Sequence, residues 1–321
     1  MTRVVVTRRI PQPALDLLAA SASDLWVSEL DGPLPAEALH HAVAGADAVV
    51  TLLHDRVDDA FLDAAGPQLR IVANVAVGYD NVDVPACAAR GVAVSNTPGV
   101  LTEATADIAF ALILMATRRL GEAERLVRTG MRWSWSMFFH LGMGIQGKRL
   151  GIVGLGQIGR ATARRGRAFG MEIAYSGRRR ADPAAEDALE AEFLPLDELL
   201  ATADVVSLHV PLSEETRHLI GPRELGRMKP TAFLVNTTRG PVVDEAALVV
   251  ALRDGTIAGA GLDVFEREPE VHPGLLELEN AVLLPHLGSA TIETRTAMGV
   301  LAAENVLAVL GGREPLTPVT A

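Results

Sequence analysis

The run from Lys148 to Gly159, which reads KRLGIVGLGQIG, constrains the fold of this chain more than any other stretch. The short apolar run Leu150 to Val153 predicts a strand, and the glycines that follow predict a tight turn. Apolar residues then recur at helical spacing in Arg160 to Phe169, and Met171 to Tyr175 reads as a second strand. This order is typical of a dinucleotide-binding βαβ unit, the alternative being an ordinary glycine-rich turn.

Each glycine of the turn has a predicted physical role. Gly154 would allow the sharp turn, Gly156 would let the backbone approach a pyrophosphate, and Gly159 would let the helix pack closely on the strand. The backbone amides at the start of the helix would face the anion. We therefore predict that a dinucleotide binds the whole turn, namely Gly154, Leu155, Gly156, Gln157, Ile158 and Gly159.

Composition excludes several classes of protein. The chain has 321 residues, of which 49% are hydrophobic and 21% charged, so it is long enough for two globular domains. Its net charge of −11 argues against a nucleic-acid or anionic-membrane partner. The longest apolar run, Ile108 to Ala116, is too short to span a bilayer, and the N-terminus lacks an apolar signal core. We therefore predict a soluble, cytoplasmic protein.

Cysteine and histidine usage argues against a disulfide framework and against a metal site. Cys87 is the only cysteine, and its setting among alanines favours a small buried side chain over a reactive thiol. The 8 histidines lack the spacing of metal ligands. We predict no metal.

Strands and helices alternate along both halves of the chain, which predicts parallel sheets covered by helices. Strands are expected at 3–7, 48–53, 69–76 and 92–95, and then at 150–153, 171–175, 193–195, 205–209, 232–236, 257–263 and 282–284. A long apolar helix is expected from Thr102 to Leu120, and a tail helix from Thr291 to Leu310 that returns to the first domain.

The predicted fold class is therefore α/β, with two Rossmann-like, doubly wound parallel-sheet domains. Residues 1–98 and 288–321 would form a discontinuous, flavodoxin-like substrate domain, and residues 99–287 the dinucleotide-binding domain. Between the long helix and the glycine turn, Met131 to Met143 is rich in aromatic residues, which suggests an interface or an arm.

Three polar residues follow predicted strands, at the sheet edge where α/β proteins bind ligands. They are Arg239, Glu268 and His286. Taken singly, each has an ordinary alternative: a surface ion pair for Arg239, a solvated loop carboxylate for Glu268 and a structural loop histidine for His286.

Several stretches together resemble the D-isomer-specific 2-hydroxyacid dehydrogenases, and among them most closely the glyoxylate/hydroxypyruvate reductases. The matching stretches, in the family's order, are VGYDNVD at 77–83, TEATADIAFALIL at 102–114, GIVGLGQIGRATARR at 151–165, VNTTRGPVVDEAAL at 235–248, AGAGLDVFEREP at 258–269 and LPHLGSAT at 284–291. They extend over most of the chain, and the combination is specific. The resemblance implies a reductase of small 2-oxo acids that uses a nicotinamide cofactor.

The resemblance also assigns catalytic roles. The family's catalytic arginine, glutamate and histidine fall on Arg239, Glu268 and His286. Reducing a 2-oxo acid needs a cation for the carboxylate and carbonyl, a proton donor for the oxygen and a hydride from nicotinamide. Arg239 would be the cation, which binds substrate. His286 would donate the proton, and Glu268 would orient its ring and favour its charged form.

Other family positions imply further contacts. The backbone amides of Val77 and Gly78 would hold the substrate carboxylate, and Asp263 would touch the nicotinamide carboxamide. Thr105 would lie against the cofactor, its alternative being a plain helix residue. Trp135 resembles a tryptophan that reaches toward the active site of a partner subunit, so a homodimer is implied; a core or dimer-packing tryptophan is the alternative.

One position departs from the NAD-specific pattern. Where an acid usually binds the ribose 2′-hydroxyl, this chain reads AYSGRRR at 174–180. A carboxylate would repel a 2′-phosphate, whereas Ser176, Arg178 and Arg179 would bind it. We therefore predict a preference for NADP(H), with NAD(H) as the alternative cofactor and a solvated basic loop as the alternative interpretation.

Other functions stay open at this stage. D-lactate, 2-ketoacid, phosphite and formate dehydrogenases share the family pattern. A phosphoglycerate dehydrogenase fits less well, because only about 30 residues follow the motif at 284–291 that contains His286, which leaves no room for a regulatory domain. A nucleotide-sensing corepressor is the alternative from another class, and the absence of long flanking tails favours an enzyme over it.

Overall fold

The computed structural model describes residues 2–320, which divide into two compact units. Within the described chain, the first unit comprises residues 2–101 and 289–320, and the second comprises Thr102–Gly288. Each unit contains one sheet covered by helices. No helix within residues 2–320 is long and apolar enough to cross a membrane.

The strands are numbered along the chain. They are β1 (Arg3–Val6), β2 (Asp24–Val27), β3 (Ala48–Thr51), β4 (Ile71–Asn74), β5 (Ala93–Ser95), β6 (Arg149–Val153), β7 (Glu172–Ser176), β8 (Ala191–Phe193), β9 (Val205–Leu208), β10 (Phe233–Asn236), β11 (Gly259–Leu262), β12 (Ala281–Leu283) and β13 (Pro318–Val319).

The helices are numbered in the same way. They are α1 (Gln12–Ala19), α2 (Ala36–Val43), α3 (Asp59–Ala65), α4 (Val84–Ala89), α5 (Thr102–Thr117), α6 (Leu120–Arg128), α7 (Gln157–Ala168), α8 (Pro183–Leu189), α9 (Leu196–Thr202), α10 (Pro222–Leu225), α11 (Glu245–Arg253), α12 (Pro273–Leu276) and α13 (Ile292–Leu310). A 3₁₀ helix spans Gly240–Val242.

The sheet of the first unit has the order β13-β5-β4-β3-β1-β2, which is the flavodoxin-like order with one added strand. Val5 packs on the α2 and α3 side, whereas Val4 and Val6 pack on the α1 and α13 side, because successive strand residues point to opposite faces. Cys87 is fully buried in the first of these clusters, and burial raises the pKa of its thiol to about 11. The prediction of a small buried side chain is confirmed.

The sheet of the second unit has the order β12-β11-β10-β9-β6-β7-β8, with every pairing parallel. The strand order reverses between β6 and β9, and ligands of open α/β sheets bind at the carboxyl ends of strands at such a point. The predicted fold class, with two doubly wound parallel sheets, is confirmed.

Several local predictions were incomplete or wrong. The strand expected at 193–195 is β8, which ends at Phe193, because Pro195 is the N-cap of α9. Strand β2 was missed because its residues are exposed or half-buried and lack an alternating pattern. Helix α3 was also missed, although Asp58 caps it by accepting a hydrogen bond from the Phe61 amide. Strand β13 is antiparallel to β5, so the first sheet is not wholly parallel.

Candidate active site

The glycine turn between β6 and α7 has the shape expected for a phosphate site. Gly154 has φ 97°, in the region that favours glycine, and a Cβ there would lie 2.6 Å from the His209 carbonyl oxygen. A Cβ on Gly159 would lie 2.2 Å from the Gly154 carbonyl oxygen. A Cβ on Gly156 would meet no atom within 4 Å, so the space beside this residue is open. Two glycines thus close the turn, and the third leaves room for a ligand.

The backbone amides of the turn are suited to bind an anion. Those of residues 155–158 donate to no acceptor among residues 2–320, and the N-cap Gly156 has no side chain that would satisfy them. Helix α7 extends over 12 residues, so its dipole adds positive potential at this end. The pyrophosphate of a dinucleotide fits such a set of donors. Cofactor contacts at this turn stay a prediction.

The loop after β7 separates its arginines into two kinds. Arg180 binds Glu186 through Nε and Nη2, at 2.9 Å in each case. Arg178 and Arg179 are exposed and form no ion pair or side-chain hydrogen bond within residues 2–320. Ser176 is buried at the end of β7, and its carbonyl oxygen accepts the Gly154 amide at 2.8 Å. The three residues predicted to bind a 2′-phosphate therefore lie on a loop that is tied to the glycine turn.

Arg239 follows β10, and Asn236 organises the backbone that presents it. The Asn236 side chain is buried; its Oδ1 accepts from the Thr238 amide at 3.0 Å, and its Nδ2 donates to the Arg239 carbonyl at 2.9 Å. Asparagine favours this kind of turn because its short amide bonds to backbone two residues on. Arg239 is half-buried and its Nη1 donates to the Thr238 carbonyl at 2.9 Å. This role of Asn236 was not predicted from the sequence, although an asparagine at a strand end is a recognisable turn signal.

Gly240 allows the Arg239 loop to contact the loop that carries Glu268. A Cβ on Gly240 would lie 1.8 Å from the Phe265 carbonyl carbon and 2.3 Å from the Glu266 amide nitrogen. These atoms belong to the backbone, so no rotamer change relieves the overlap. The absence of a side chain at residue 240 therefore sets the spacing of the two loops.

Glu268 and His286 form a hydrogen-bonded pair. His286 Nδ1 lies 2.8 Å from Glu268 Oε2, while Glu268 Oε1 accepts the Phe265 amide at 3.0 Å. An ionised carboxylate only accepts hydrogen bonds, so Nδ1 carries a hydrogen in this pair. Nε2 is then the ring nitrogen available to exchange a proton with a substrate. Such a pair suits a general acid–base histidine held by an orienting carboxylate, and the catalytic roles expected of both residues stay a prediction.

Asp263 holds the backbone around His286 through three consecutive amides. Its carbonyl oxygen accepts the His286 amide at 2.9 Å, and its carboxylate accepts the amides of Leu287 at 2.7 Å and Gly288 at 2.8 Å. His286 has φ 55°, an uncommon conformation for a residue with a side chain, so it needs such support. Burial raises the pKa of Asp263, and the amide of Leu287 opposes that shift. The predicted contact of Asp263 with a nicotinamide stays a prediction; its role in the loop was missed.

Thr105 supports the same loop from α5. Its hydroxyl is buried and donates to the Gly288 carbonyl at 3.1 Å. Thr105 therefore has a structural contact of its own, and its predicted contact with a cofactor stays untested.

In the first unit, the loop after β4 presents two free amides. Asn96 Nδ2 donates to the Val77 carbonyl at 2.8 Å, and Asn74 Nδ2 donates to the Gly78 carbonyl at 3.2 Å. The amides of Val77 and Gly78 donate to no acceptor within the described chain, residues 2–320. With their carbonyls bound and their amides free, these two residues are suited to hold a carboxylate, as predicted for the substrate. The two asparagines were missed.

Trp135 lies in an aromatic segment without regular secondary structure and is 75% exposed in the single chain. A core position for Trp135 is therefore wrong. Its predicted approach to a partner's active site stays a prediction.

Within residues 2–320 no group of three or more His, Cys, Asp or Glu side chains is arranged to hold a metal ion.

Comparisons with known proteins show to which family the chain is related. Residues 110–288 match the model of the D-isomer specific 2-hydroxyacid dehydrogenase NAD-binding domain. Over 323 aligned residues the chain is 50% identical to a glyoxylate reductase of Thermococcus gammatolerans, covering 99% of this chain and 95% of that protein.

Solved structures are similar over the whole chain. A Thermus thermophilus protein has a TM-score of 0.93 at 45% identity, with 99% of this chain and 100% of that chain covered. An NADPH-dependent glyoxylate/hydroxypyruvate reductase from Sinorhizobium meliloti, solved with NADP and malonate, has a TM-score of 0.86 at 39% identity. The match covers 99% of this chain and 96% of that chain. With a family model that covers more than half of its residues and a relative this similar over its whole length, the chain belongs to the D-isomer-specific 2-hydroxyacid dehydrogenase family.

Proposed function

We propose that this protein is a reductase of small 2-oxo acids that takes hydride from NADPH, with glyoxylate and hydroxypyruvate as its substrates. The observation that carries the proposal is the pair of His286 Nδ1 and Glu268 Oε2 at 2.8 Å, with Arg239 on the adjoining loop. The names of the relatives, glyoxylate reductase and glyoxylate/hydroxypyruvate reductase, support the substrate class.

In this proposal the chain's own residues bind the substrate and move one proton. Arg239 binds the carboxylate and polarises the carbonyl of the oxo acid. His286 Nε2 donates a proton to the carbonyl oxygen as that oxygen becomes a hydroxyl. Glu268 holds the ring in place and favours its protonated form. The dinucleotide, bound by the glycine turn, supplies the hydride.

The substrate class is tested by steady-state turnover of the purified chain. We expect reduction of glyoxylate and hydroxypyruvate with higher kcat/KM than reduction of pyruvate or phenylpyruvate, because the relatives of this chain are named for those two substrates. Preferred turnover of pyruvate or phenylpyruvate would contradict the substrate assignment. Absence of turnover with all four acids would favour a nucleotide-sensing protein.

The cofactor preference depends on the exposed loop after β7. A charge-assisted hydrogen bond contributes roughly 1.5–3 kcal/mol, so one good contact to the 2′-phosphate would favour NADPH over NADH by about tenfold or more. Because Arg178 and Arg179 are exposed, we expect this preference to shrink as ionic strength rises. We further expect the Ser176→Asp and Arg178→Ala variants to lose the preference for NADPH, mainly because their KM for NADPH rises.

The measurement is kcat/KM for both cofactors in the parent and in each variant, at low and high salt. Arg295→Ala, an exposed arginine in the first unit, is the matched control and should keep the parental ratio. A parent that prefers NADH, or variants whose ratio does not move, would show that the arginines form only a solvated basic loop.

We also propose a homodimer. Helix α6 has no buried residue, and the segment that follows it exposes large apolar side chains. The exposed apolar side chains of α6 are Leu120 and Val127, and those of the segment are Met131, Trp133, Trp135, Met137, Phe138, Phe139 and Leu141. So many exposed apolar side chains in one segment mark an interaction surface.

Sedimentation at micromolar concentration tests this proposal. We expect the parent to sediment as a dimer and Phe138→Asp, at the most exposed of these side chains, to sediment as a monomer, because a buried carboxylate at the interface would be unpaired. Leu30→Asp, at an exposed leucine of the first unit, should stay a dimer. A monomeric parent would defeat the proposal.

A further inference from the structure

The loop that follows β7 is closed at its base by a buried tyrosine. Tyr175 is 1% exposed, and its hydroxyl oxygen accepts the Ala181 amide at 2.8 Å. The two ends of the five-residue excursion 176–180 are therefore joined through one side chain. Ser176, Arg178 and Arg179 lie on that excursion.

A buried carboxylate completes this closure. Glu186, on α8, is 7% exposed and accepts the hydroxyl hydrogen of Tyr175. The Arg180 guanidinium binds both of its oxygens, from Nε to Oε1 and from Nη2 to Oε2, at 2.9 Å each. Arg180 first, and the Tyr175 hydroxyl second, lower the pKa of Glu186, so the carboxylate is charged at neutral pH. Arg180 thereby neutralises a carboxylate that lies directly beneath the loop.

We propose that Tyr175 and Glu186 anchor the base of the loop, and that Arg180 neutralises the Glu186 carboxylate so that a 2′-phosphate can bind above it, without itself contacting the phosphate. This inference rests on the proposed preference for NADPH. The side-on edge of the Arg180 guanidinium, formed by Nε and Nη2, already binds both oxygens of Glu186. Arg178 and Arg179, which have no such partner within residues 2–320, supply the phosphate contacts.

Neutralising Glu186 affects the two cofactors differently. Without Arg180, the Glu186 carboxylate would have no cation beside it and would repel a 2′-phosphate dianion, while a neutral 2′-hydroxyl would be little affected. Arg180 is thus a positioning residue for selectivity, which acts through Glu186. Removing the Glu186 carboxylate together with Arg180 should therefore restore the affinity for the 2′-phosphate that is lost when Arg180 alone is removed.

Calorimetry on the full-length chain tests this without turnover. The probes are adenosine 2′,5′-bisphosphate and adenosine 5′-monophosphate, which differ only in the 2′-phosphate. We expect Arg180→Gln to weaken binding of the bisphosphate about tenfold and to leave the affinity for the monophosphate within about twofold of the parent. Arg180→Lys keeps the positive charge beside Glu186, so it should stay within about threefold of the parent for both probes.

The double variant Arg180→Gln with Glu186→Gln decides between the two roles. We expect it to bind the bisphosphate within about threefold of the parent, because the uncompensated charge is gone and the amide oxygen introduced by Glu186→Gln can still accept the tyrosine hydroxyl hydrogen. A double variant as weak as Arg180→Gln would show that Arg180 contacts the phosphate directly. An unaffected Arg180→Gln would show that neutralising Glu186 does not matter for the 2′-phosphate. Either result overturns the inference. A parent that binds both probes equally would overturn the proposed cofactor preference, and the role of Arg180 in selectivity with it. The monophosphate affinity and the thermal midpoint report whether each variant is folded.

Discussion

Replacing His286 with alanine should lower kcat for 2-oxo acid reduction by about 10²- to 10⁴-fold, the usual contribution of a general acid. The imidazole is held by Glu268 at 2.8 Å, whereas the dinucleotide is expected at the glycine turn. The dissociation constant for NADPH should therefore stay within about twofold of the parent. Steady-state kinetics and a fluorescence titration measure the two quantities separately.

His286 has a left-handed backbone with φ 55°, so alanine also introduces strain. His286→Asn separates the two effects, because asparagine tolerates this conformation but does not exchange a proton at neutral pH. We expect it to be as inactive as His286→Ala. His41→Ala, on the exposed end of α2, is the control for loss of an imidazole elsewhere. If cofactor binding falls in parallel with activity in both His286 variants, the histidine has a structural role instead.

Glu268→Gln completes this test. The amide oxygen of glutamine can still accept the Nδ1 hydrogen, so the ring stays oriented while the neighbouring negative charge is lost. We expect a loss of kcat that is milder than in His286→Ala, since the ring keeps its orientation but loses the neighbouring charge. A kcat equal to that of the parent would count against the pairing as a functional one.

Gly240→Ala should reduce kcat/KM by at least about 100-fold, since a misplacement of about 1 Å between catalytic groups is enough for such a loss. The added Cβ would lie 1.8 Å from the Phe265 carbonyl carbon, so the loop of Arg239 must move away from the loop of Glu268. Overpacking of this kind typically costs about 1–3 kcal/mol in stability, so a lower thermal midpoint is expected as well.

Gly32→Ala is the matched control for this prediction. Gly32 has no atom within 4 Å of a built Cβ and does not have a positive φ, so its activity and thermal midpoint should be parental. Calorimetry with adenosine 5′-monophosphate shows whether Gly240→Ala keeps the glycine turn intact. A Gly240→Ala protein with parental kcat/KM would mean that the spacing of the two loops does not matter for turnover.

Sequence reasoning succeeded where a local pattern has one physical meaning. The glycine turn was predictable because Gly154 needs a positive φ and Gly159 has no room for a side chain, and both requirements exclude other residues. The fold class was predictable because apolar runs that alternate with helical periodicity bury their surface best in helix-covered parallel sheets. The boundaries of β8 and the existence of β2 were not predictable, because short edge strands carry little periodic signal in the sequence.

By itself, the sequence determined the two sheets, the glycine turn and the candidate residues Arg239, Glu268 and His286, because strand-end positions and family motifs are local along the chain. The tertiary structure decided which groups contact each other. Asp263 holds three amides around His286, and Gly240 sets the distance between two loops. Arg180 pairs with Glu186, whereas Arg178 and Arg179 stay exposed. Each of these contacts joins residues on different loops or elements. Their partners are chosen by distance and burial in the folded chain, and neither quantity follows from the spacing of residues along it.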